Sequence, residues 1–167
     1  MKDALQRLLK DRGAVVTTLF DLYGLPVGTP GLERLRPGMD PQEKAKVVEE
    51  AIWNDLGNPQ NLDVHLSLHE FEAFLFAGTR ELEEAAEMTG LSRQLEAIRV
   101  RFPTPEHIND GKDTAPSKRI LALHPGYGKT TQGVNAVRRI GLERLREECP
   151  HFGAWLGRLE NHVQERA

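Results

Sequence analysis

The feature of the sequence that most constrains its fold is a change of period within residues 62–76. Apolar and polar side chains alternate over residues 62–68, which is the two-residue period of a half-buried β-strand. The apolar positions then shift to Phe71, Phe74 and Leu75, the spacing of one helix face. The stretch therefore predicts a strand that runs directly into a helix.

The junction of this strand and helix carries His69, Glu70 and Glu72. Ligands of open α/β sheets bind beyond the carboxyl ends of the strands, so these side chains are a candidate site. A structural role is the alternative, because acidic groups also stabilise the first turn of a helix and His69 could pair with Glu72. Position 73 is Ala, so the pattern does not match the His-Glu-x-x-His zinc motif.

A second strand and a helix precede this stretch. Residues 14–20 are rich in β-branched side chains and predict a buried strand that ends at Asp21, and residues 40–55 carry a strong helix start followed by an apolar face. The order strand–helix–strand predicts a βαβ unit with parallel strands, whose carboxyl ends share one edge. We therefore expect Asp21 and at least one of Glu70 and Glu72 to lie within reach of a shared cation. Clustered carboxylates repel each other unless a divalent cation or a raised pKa relieves the repulsion.

The length and composition predict one α/β domain. The 167 residues fit a single domain, with a small parallel βαβ sheet in residues 1–78 and a mainly helical part in residues 79–167. The 39% apolar and 28% charged fractions are ordinary for a soluble globular protein, and no apolar run is long enough to span a membrane. The single cysteine, Cys149, fits a reducing cytoplasm, and its apolar surroundings predict a core position.

The net charge of -3 hides an uneven distribution: residues 1–92 are acidic and residues 93–146 are basic. The basic segment could face phosphate, or it could neutralise the acidic half within the fold. Lys118 and Arg119 lie early in a predicted helix, where the helix dipole disfavours cations, so they could face a phosphate or the acidic site. A solvated basic edge is the alternative.

Residues 124–131 imitate a phosphate-binding P-loop. The motif requires Gly five residues before its Gly-Lys pair, and position 123 is Leu. The segment therefore predicts a turn leading into a helix over residues 130–139, without a role in ATP binding.

Four ordered strings together resemble one family. They are residues 16–26, residues 68–76, residues 108–111 with residues 114–120, and residues 149–156. The chain is identified by them, over nearly its whole length, as a member of the bacterial domain-of-unknown-function family numbered 4276.

The resemblance implies a Toprim-like fold and an association with an AAA- or ABC-type ATPase, in contexts that suggest phage defence. Toprim domains bind magnesium through acidic residues and act on nucleic-acid phosphodiesters. Asp21 matches the first acid of the Toprim Asp-x-Asp pair, whereas position 23 is Tyr. The Toprim glutamate belongs to an earlier strand, so we expect the given chain to lack the N-terminal strand–helix segment usual in the family. Either the given start is internal, or the protein has lost part of the site.

The leading hypothesis is a Toprim-like nuclease subunit that uses magnesium, or alternatively manganese, and works with such an ATPase in the cytoplasm. Asp21, Glu70 and Glu72 would hold the metal at the catalytic site, and Lys118 and Arg119 would contact the substrate phosphate. The competing hypothesis is a non-catalytic subunit that only docks on the ATPase. The sequence leaves open the choice of DNA or RNA, the identity of the partner and the oligomeric state.

Overall fold

The structure is a computed structural model that describes residues 1–108 and 114–164. By its contacts the chain divides into two compact units, residues 1–68 with residues from 155 onward, and residues 69–154. The expected mixed α/β class is confirmed, with parallel strands in the N-terminal half and a mainly helical C-terminal half. The prediction of a single domain is left untested by this division. Asn109-Asp110-Gly111, a combination of residues that predicts a turn, lies outside the described residues.

The strands are short and the helices vary widely in length. The strands are Val16–Thr17 (β1), Phe20–Asp21 (β2), Leu62–Asp63 (β3) and Leu66–Ser67 (β4). The helices are Lys2–Leu8 (α1), Pro41–Asp55 (α2), Glu72–Leu75 (α3), Thr79–Ala85 (α4), Ser92–Arg99 (α5), Pro116–Leu123 (α6), Val134–Ile140 (α7), Leu142–Glu148 (α8) and Pro150–Gln164 (α9). Single 3₁₀ turns cover Leu22–Gly24, Leu32–Arg34 and Pro105–His107, and a π-helical turn covers Lys129–Gly133. No helix in the described part of the chain is long and apolar enough to cross a membrane.

Helix α2 begins and ends where its sequence predicts. The Asp40 carboxylate accepts hydrogen bonds from the N–H groups of Gln42 (2.8 Å) and Glu43 (3.4 Å), and a proline occupies the first helical position. Gly57 and Asn58 follow the helix with positive φ angles of 84° and 58°, which end it. This strong helix supplies one of the two layers that cover the strands.

The two predicted strands pair in parallel, as expected, but each is broken in the middle. Strand β1 pairs with β3, and β2 pairs with β4, with Asp21 opposite Ser67. Between the two pairs, the buried Thr18 hydroxyl donates to the carbonyl of His65 (2.8 Å) and accepts from its N–H (2.9 Å). The Thr18 side chain thus takes the place of a backbone partner for both the N–H and the carbonyl of His65. The strand pairing is interrupted here, but neither backbone group is left unsatisfied.

The prediction of one solvated strand face is wrong, because both faces are buried. The apolar face packs with α2 in a cluster that includes Leu62, Val64, Leu66 and Leu68. On the polar face Asp63 is only 7% exposed and accepts two hydrogen bonds from Arg158 of α9, at 2.9 and 3.0 Å.

The aromatic ring of Trp155 completes this second layer. It stacks on the ring of the buried His65 at a centroid distance of 4.7 Å, and its Nε1–H donates to the Thr17 hydroxyl at 2.8 Å. Residues from the C-terminal helix therefore cover the face that the alternation predicted to be solvated.

The second unit is built from α3–α8 and the start of α9 around its own apolar cluster. Its fully buried members include Leu75, Leu82, Leu95, Ile108 and Ile120. The period change after residue 68 does yield a helix, but α3 is only one turn long. Thr79 is the first residue of α4, and its hydroxyl donates to Glu96 at 3.0 Å.

We predict that Thr18→Val destabilises the first unit by about 2–3 kcal/mol, because the isosteric side chain leaves a buried N–H and a buried carbonyl without partners. Thr18→Ser keeps the hydroxyl and should lose much less. Urea denaturation followed by tryptophan fluorescence is the measurement, since both tryptophans belong to this unit. Equal losses in the two variants would contradict this role for the hydroxyl.

Candidate functional site

The centre of the candidate site is a pair of carboxylates that converge on one ammonium group. Lys129 Nζ lies 3.4 Å from Glu72 Oε1 and 3.8 Å from Glu70 Oε1. The Glu72 side chain is 4% exposed, whereas the side chains of Glu70 and Lys129 are 38% and 50% exposed. A buried carboxylate is costly unless a positive charge accompanies it, and Lys129 is the cationic partner of Glu72.

The short segment between β4 and α3 positions both acids. The carbonyl of Glu70 accepts a hydrogen bond from the N–H of Ala73 (2.9 Å), which begins the turn of α3, and Glu72 is the first residue of that helix. Phe71, between them, stacks edge-on against Phe74. The two carboxylates therefore lie on consecutive parts of one tight turn that is anchored in the apolar cluster.

Glu70 also contacts the N-terminus of α6. Its Oε2 accepts a hydrogen bond from the backbone N–H of Ser117 at 3.2 Å. Partial burial acts to raise the pKa of the Glu70 carboxyl, but the hydroxyl and N–H of Ser117 and the charges of Lys129 and Lys118 outweigh it, so this pKa lies below its usual value. Glu70 is therefore an anion at neutral pH.

Tyr127 adds a buried hydroxyl beside the carboxylates. The residue is 6% exposed, and its hydroxyl finds no hydrogen-bond partner among the residues that the structure describes. Burial and the nearby charges of Glu72 and Glu70 raise the pKa of the Tyr127 hydroxyl, so it remains protonated and can donate. A buried donor without a partner is rare in native proteins and calls for a functional explanation.

Gly133 makes the space that the Tyr127 ring occupies. A Cβ added to Gly133 would lie 2.6 Å from the Tyr127 hydroxyl oxygen. Gly133 closes the π-helical turn that begins at Lys129, and such turns occur frequently at functional sites. The tyrosine and the lysine are therefore held by the two ends of one unusual turn.

The P-loop imitation is a turn that leads into a helix, as predicted. The N–H of Gly128, which a P-loop would offer to phosphate, donates instead to Gln132 Oε1 at 2.7 Å. The ammonium of Lys129 is directed to the two glutamates. Comparison with the P-loop motif alone did not reveal that Lys129 contacts the two glutamates. The Gly-Tyr-Gly-Lys string was the sequence signal that could have drawn attention to this lysine.

The two predicted phosphate contacts have different surroundings. Lys118 is exposed on the first turn of α6, close enough to Glu70 to lower its pKa. Arg119 is already engaged: its Nε donates to the carbonyl of Thr114 at 2.6 Å, and its guanidinium lies 5.2 Å from the ring centroid of Phe102. Lys118 is therefore the more available of the two.

Asp21 lies in the first unit, at the carboxyl end of β2. It is exposed and is followed at once by the 3₁₀ turn Leu22–Gly24. The parallel register that places it opposite Ser67 agrees with the predicted shared edge within that unit. Its approach to Glu70 and Glu72, which belong to the second unit, stays a prediction.

Two further polar groups of the second unit are structural. The Glu106 carboxylate is 3% exposed and accepts hydrogen bonds from the N–H groups of His151 (2.9 Å) and Phe152 (3.0 Å). These bonds cap the start of α9. Burial nevertheless raises the pKa of the Glu106 carboxyl. Cys149 is fully buried, and burial followed by the charge of Glu106 raises the pKa of its thiol. The cysteine is therefore a core residue, as predicted, and not an activated nucleophile.

These features define a small α/β protein in which parallel strands lead into an acidic turn with its own lysine. The chain belongs to the family described as Domain of unknown function (DUF4276), whose model matches residues 1–160. Comparison with curated proteins and comparison with solved structures each found no match. The family resemblance drawn from the four strings is thus confirmed.

We predict that Gly133→Ala destabilises the protein by about 1–2 kcal/mol, although its backbone is helical, because the added methyl group collides with the Tyr127 hydroxyl. Tyr127→Phe removes that hydroxyl, so Gly133→Ala should become neutral or stabilising in the double variant. Chemical denaturation followed by far-UV circular dichroism measures this cycle. If the free-energy effects of the two substitutions simply add, the collision between the methyl group and the Tyr127 hydroxyl is relieved by movement of other residues.

The lowered pKa of Glu70 predicts a pH-dependent stability. A carboxyl with a depressed folded-state pKa contributes stability above its unfolded pKa of about 4.3, and this contribution is lost as pH falls through the folded-state pKa. The stability advantage of the wild type over Glu70→Gln should therefore shrink between about pH 5 and pH 3. Ser117→Ala should move the Glu70 pKa upward in an NMR titration. If the stability difference between the wild type and Glu70→Gln does not change with pH, the pKa of Glu70 is not lowered in the folded state.

Proposed function

We propose that this protein is a Toprim-like, magnesium-dependent nuclease subunit that works with an AAA- or ABC-type ATPase in the cytoplasm. The observation that carries the proposal is the convergence of Glu70 and Glu72 on a single positive charge, the ammonium of Lys129. Two carboxylates that share one cation, one of them buried, form the kind of donor set that a divalent cation can also use.

The residues present fit magnesium. Its preferred ligands are hard oxygen atoms, and it commonly binds one or two carboxylates while it keeps several water molecules. Glu70 and Glu72 offer the carboxylates, and the buried Tyr127 hydroxyl, which has no hydrogen-bond partner among the described residues, lies within the influence of their charges. Asp21 would supply a further carboxylate, an assignment that rests on the family resemblance and on its position at the end of β2.

A bound magnesium would supply polarisation of a phosphodiester and activation of water. The roles of the protein groups follow from their surroundings. Glu72 places a carboxylate in a buried position next to Lys129, Glu70 remains ionised because its pKa is lowered, and the exposed Lys118 is available to bind a substrate phosphate. The protonated Tyr127 donates a hydrogen bond and does not act as a nucleophile, since burial raises its pKa.

We expect Glu72→Gln to reduce magnesium-dependent cleavage by at least about 100-fold, because the substitution keeps the shape of the side chain and removes the buried charge. Asp21→Asn should have a similar effect. The assay presents single- and double-stranded DNA and RNA with magnesium, manganese or EDTA, to the protein alone and co-expressed with an ATPase encoded beside it.

Glu50→Gln is the matched control, because Glu50 is an exposed residue of α2 outside the proposed site. Cleavage that survives in Glu72→Gln would defeat the site assignment. Absence of metal-dependent cleavage in every wild-type preparation would defeat the nuclease proposal and favour the second candidate.

That second candidate is a non-catalytic subunit that docks on the ATPase. The observation that favours it is a group of exposed apolar side chains around β2, namely Leu19 (55% exposed), Phe20 (40%) and Tyr23 (56%). Replacement of Leu19 and Phe20 by Ser should abolish co-purification with the ATPase if this surface docks. It should leave the thermal unfolding midpoint nearly unchanged, because these side chains are not core residues.

A further inference from the structure

We infer that Lys129 is a built-in counter-ion, which a divalent cation displaces from Glu70 and Glu72, and that the released ammonium then contacts a phosphate of the substrate. The displacement step rests on the geometry of the second unit. The phosphate step rests on the proposed nuclease function. The inference assigns to Lys129 a contact with the substrate phosphate. Comparison with the P-loop motif had predicted only that this segment has no role in ATP binding.

The contacts of Lys129 are those of a replaceable cation. Distances of 3.4 and 3.8 Å to the two carboxylates exceed the 2.7–2.9 Å typical of strong charge-assisted hydrogen bonds. The side chain is half exposed, and a lysine ammonium is a point charge on a flexible stem, without the fixed fork of arginine. The ammonium can therefore leave the carboxylates while its backbone remains in place.

The buried Tyr127 hydroxyl is the second, independent observation. It lacks a partner among the described residues, and the charges of Glu72 and Glu70 are near enough to raise its pKa. Lysine offers only N–H donors, so it cannot accept the hydrogen bond that this protonated hydroxyl would donate. An oxygen atom of a bound phosphate can accept it, which explains an orphaned donor that the ion pair with Lys129 leaves unexplained.

The charge of the cluster changes sign when the exchange occurs. Glu70, Glu72 and Lys129 together carry a net charge of about -1, and a bound divalent cation makes it about +1 if Lys129 remains nearby. The negative cluster repels phosphate and the positive one attracts it. Lys118, exposed beside Glu70, adds to this attraction. Phosphate binding is thereby made to depend on prior binding of the cation.

The first test is calorimetric titration of magnesium chloride into the wild type and three variants at constant ionic strength. Lys129→Met removes the competing charge and keeps the stem, so magnesium should bind about fivefold more tightly or better. Lys129→Arg keeps the charge and should show no such gain. Lys46→Met, an exposed lysine of α2, is the control for an equal change in net charge and should match the wild type.

Thermal unfolding supplies a readout that does not depend on activity. Without metal, Lys129→Met should melt at a lower temperature than the wild type, because the buried Glu72 has lost its counter-charge. Added magnesium should then raise the melting temperature of Lys129→Met more than that of the wild type. Unchanged or weaker magnesium binding in Lys129→Met would overturn the displacement step, as would an equal magnesium-induced shift in both proteins.

The phosphate step is tested with short single-stranded oligonucleotides. Wild-type affinity for them should rise when magnesium is present, and this rise should be lost in Lys129→Met even though the variant binds magnesium more tightly. A rise that persists in Lys129→Met would overturn this step. If magnesium binds more tightly to the variant but no wild-type preparation cleaves nucleic acid, the displacement step stands and the nuclease proposal fails, so the two failures are distinguishable.

Discussion

The burial of the Glu72 carboxylate is the constraint on which the organisation of the second unit depends. A buried carboxylate needs a positive charge, and Lys129 supplies it from a turn distant in sequence. That turn is π-helical, and its last residue is Gly133, where any larger residue would collide with Tyr127. The lysine that faces Glu72, the glycine at position 133 and the enclosed tyrosine therefore all belong to one short segment.

The buried polar groups of the protein fall into two kinds. Thr18, Asp63 and Glu106 are each matched by two hydrogen bonds with good geometry. Around Glu72, by contrast, the lysine contacts are long and the Tyr127 hydroxyl is unmatched among the described residues. Because natural proteins leave polar groups incompletely satisfied mainly where they function, this contrast supports the proposal that the acidic turn is the site.

Local sequence signals predicted the elements, whereas the partners of buried polar groups required the tertiary structure. The Asp40 cap, the parallel strands and the period change after residue 68 all follow from short-range patterns. The alternation over residues 62–68 predicted a solvated face, because no local pattern indicates that α9 supplies Arg158 and Trp155 to cover it. Glu70 and Glu72 were found because they adjoin a strand end, but Lys129 lies too far along the chain for any periodicity to connect it with them.

The string that imitates a P-loop shows how one residue type can serve two electrostatic purposes. In a P-loop the lysine and the backbone N–H groups of the preceding loop face the same anion. Here the N–H of Gly128 is used by Gln132, so the backbone contributes nothing to anion binding, and the Lys129 ammonium faces carboxylates. A lysine ammonium is a point charge on a flexible stem, whereas an anion within a nest of N–H groups meets donors that the backbone fixes. The contacts that separate this segment from a nucleotide-binding loop are therefore the same contacts on which the proposed exchange of Lys129 for a divalent cation rests.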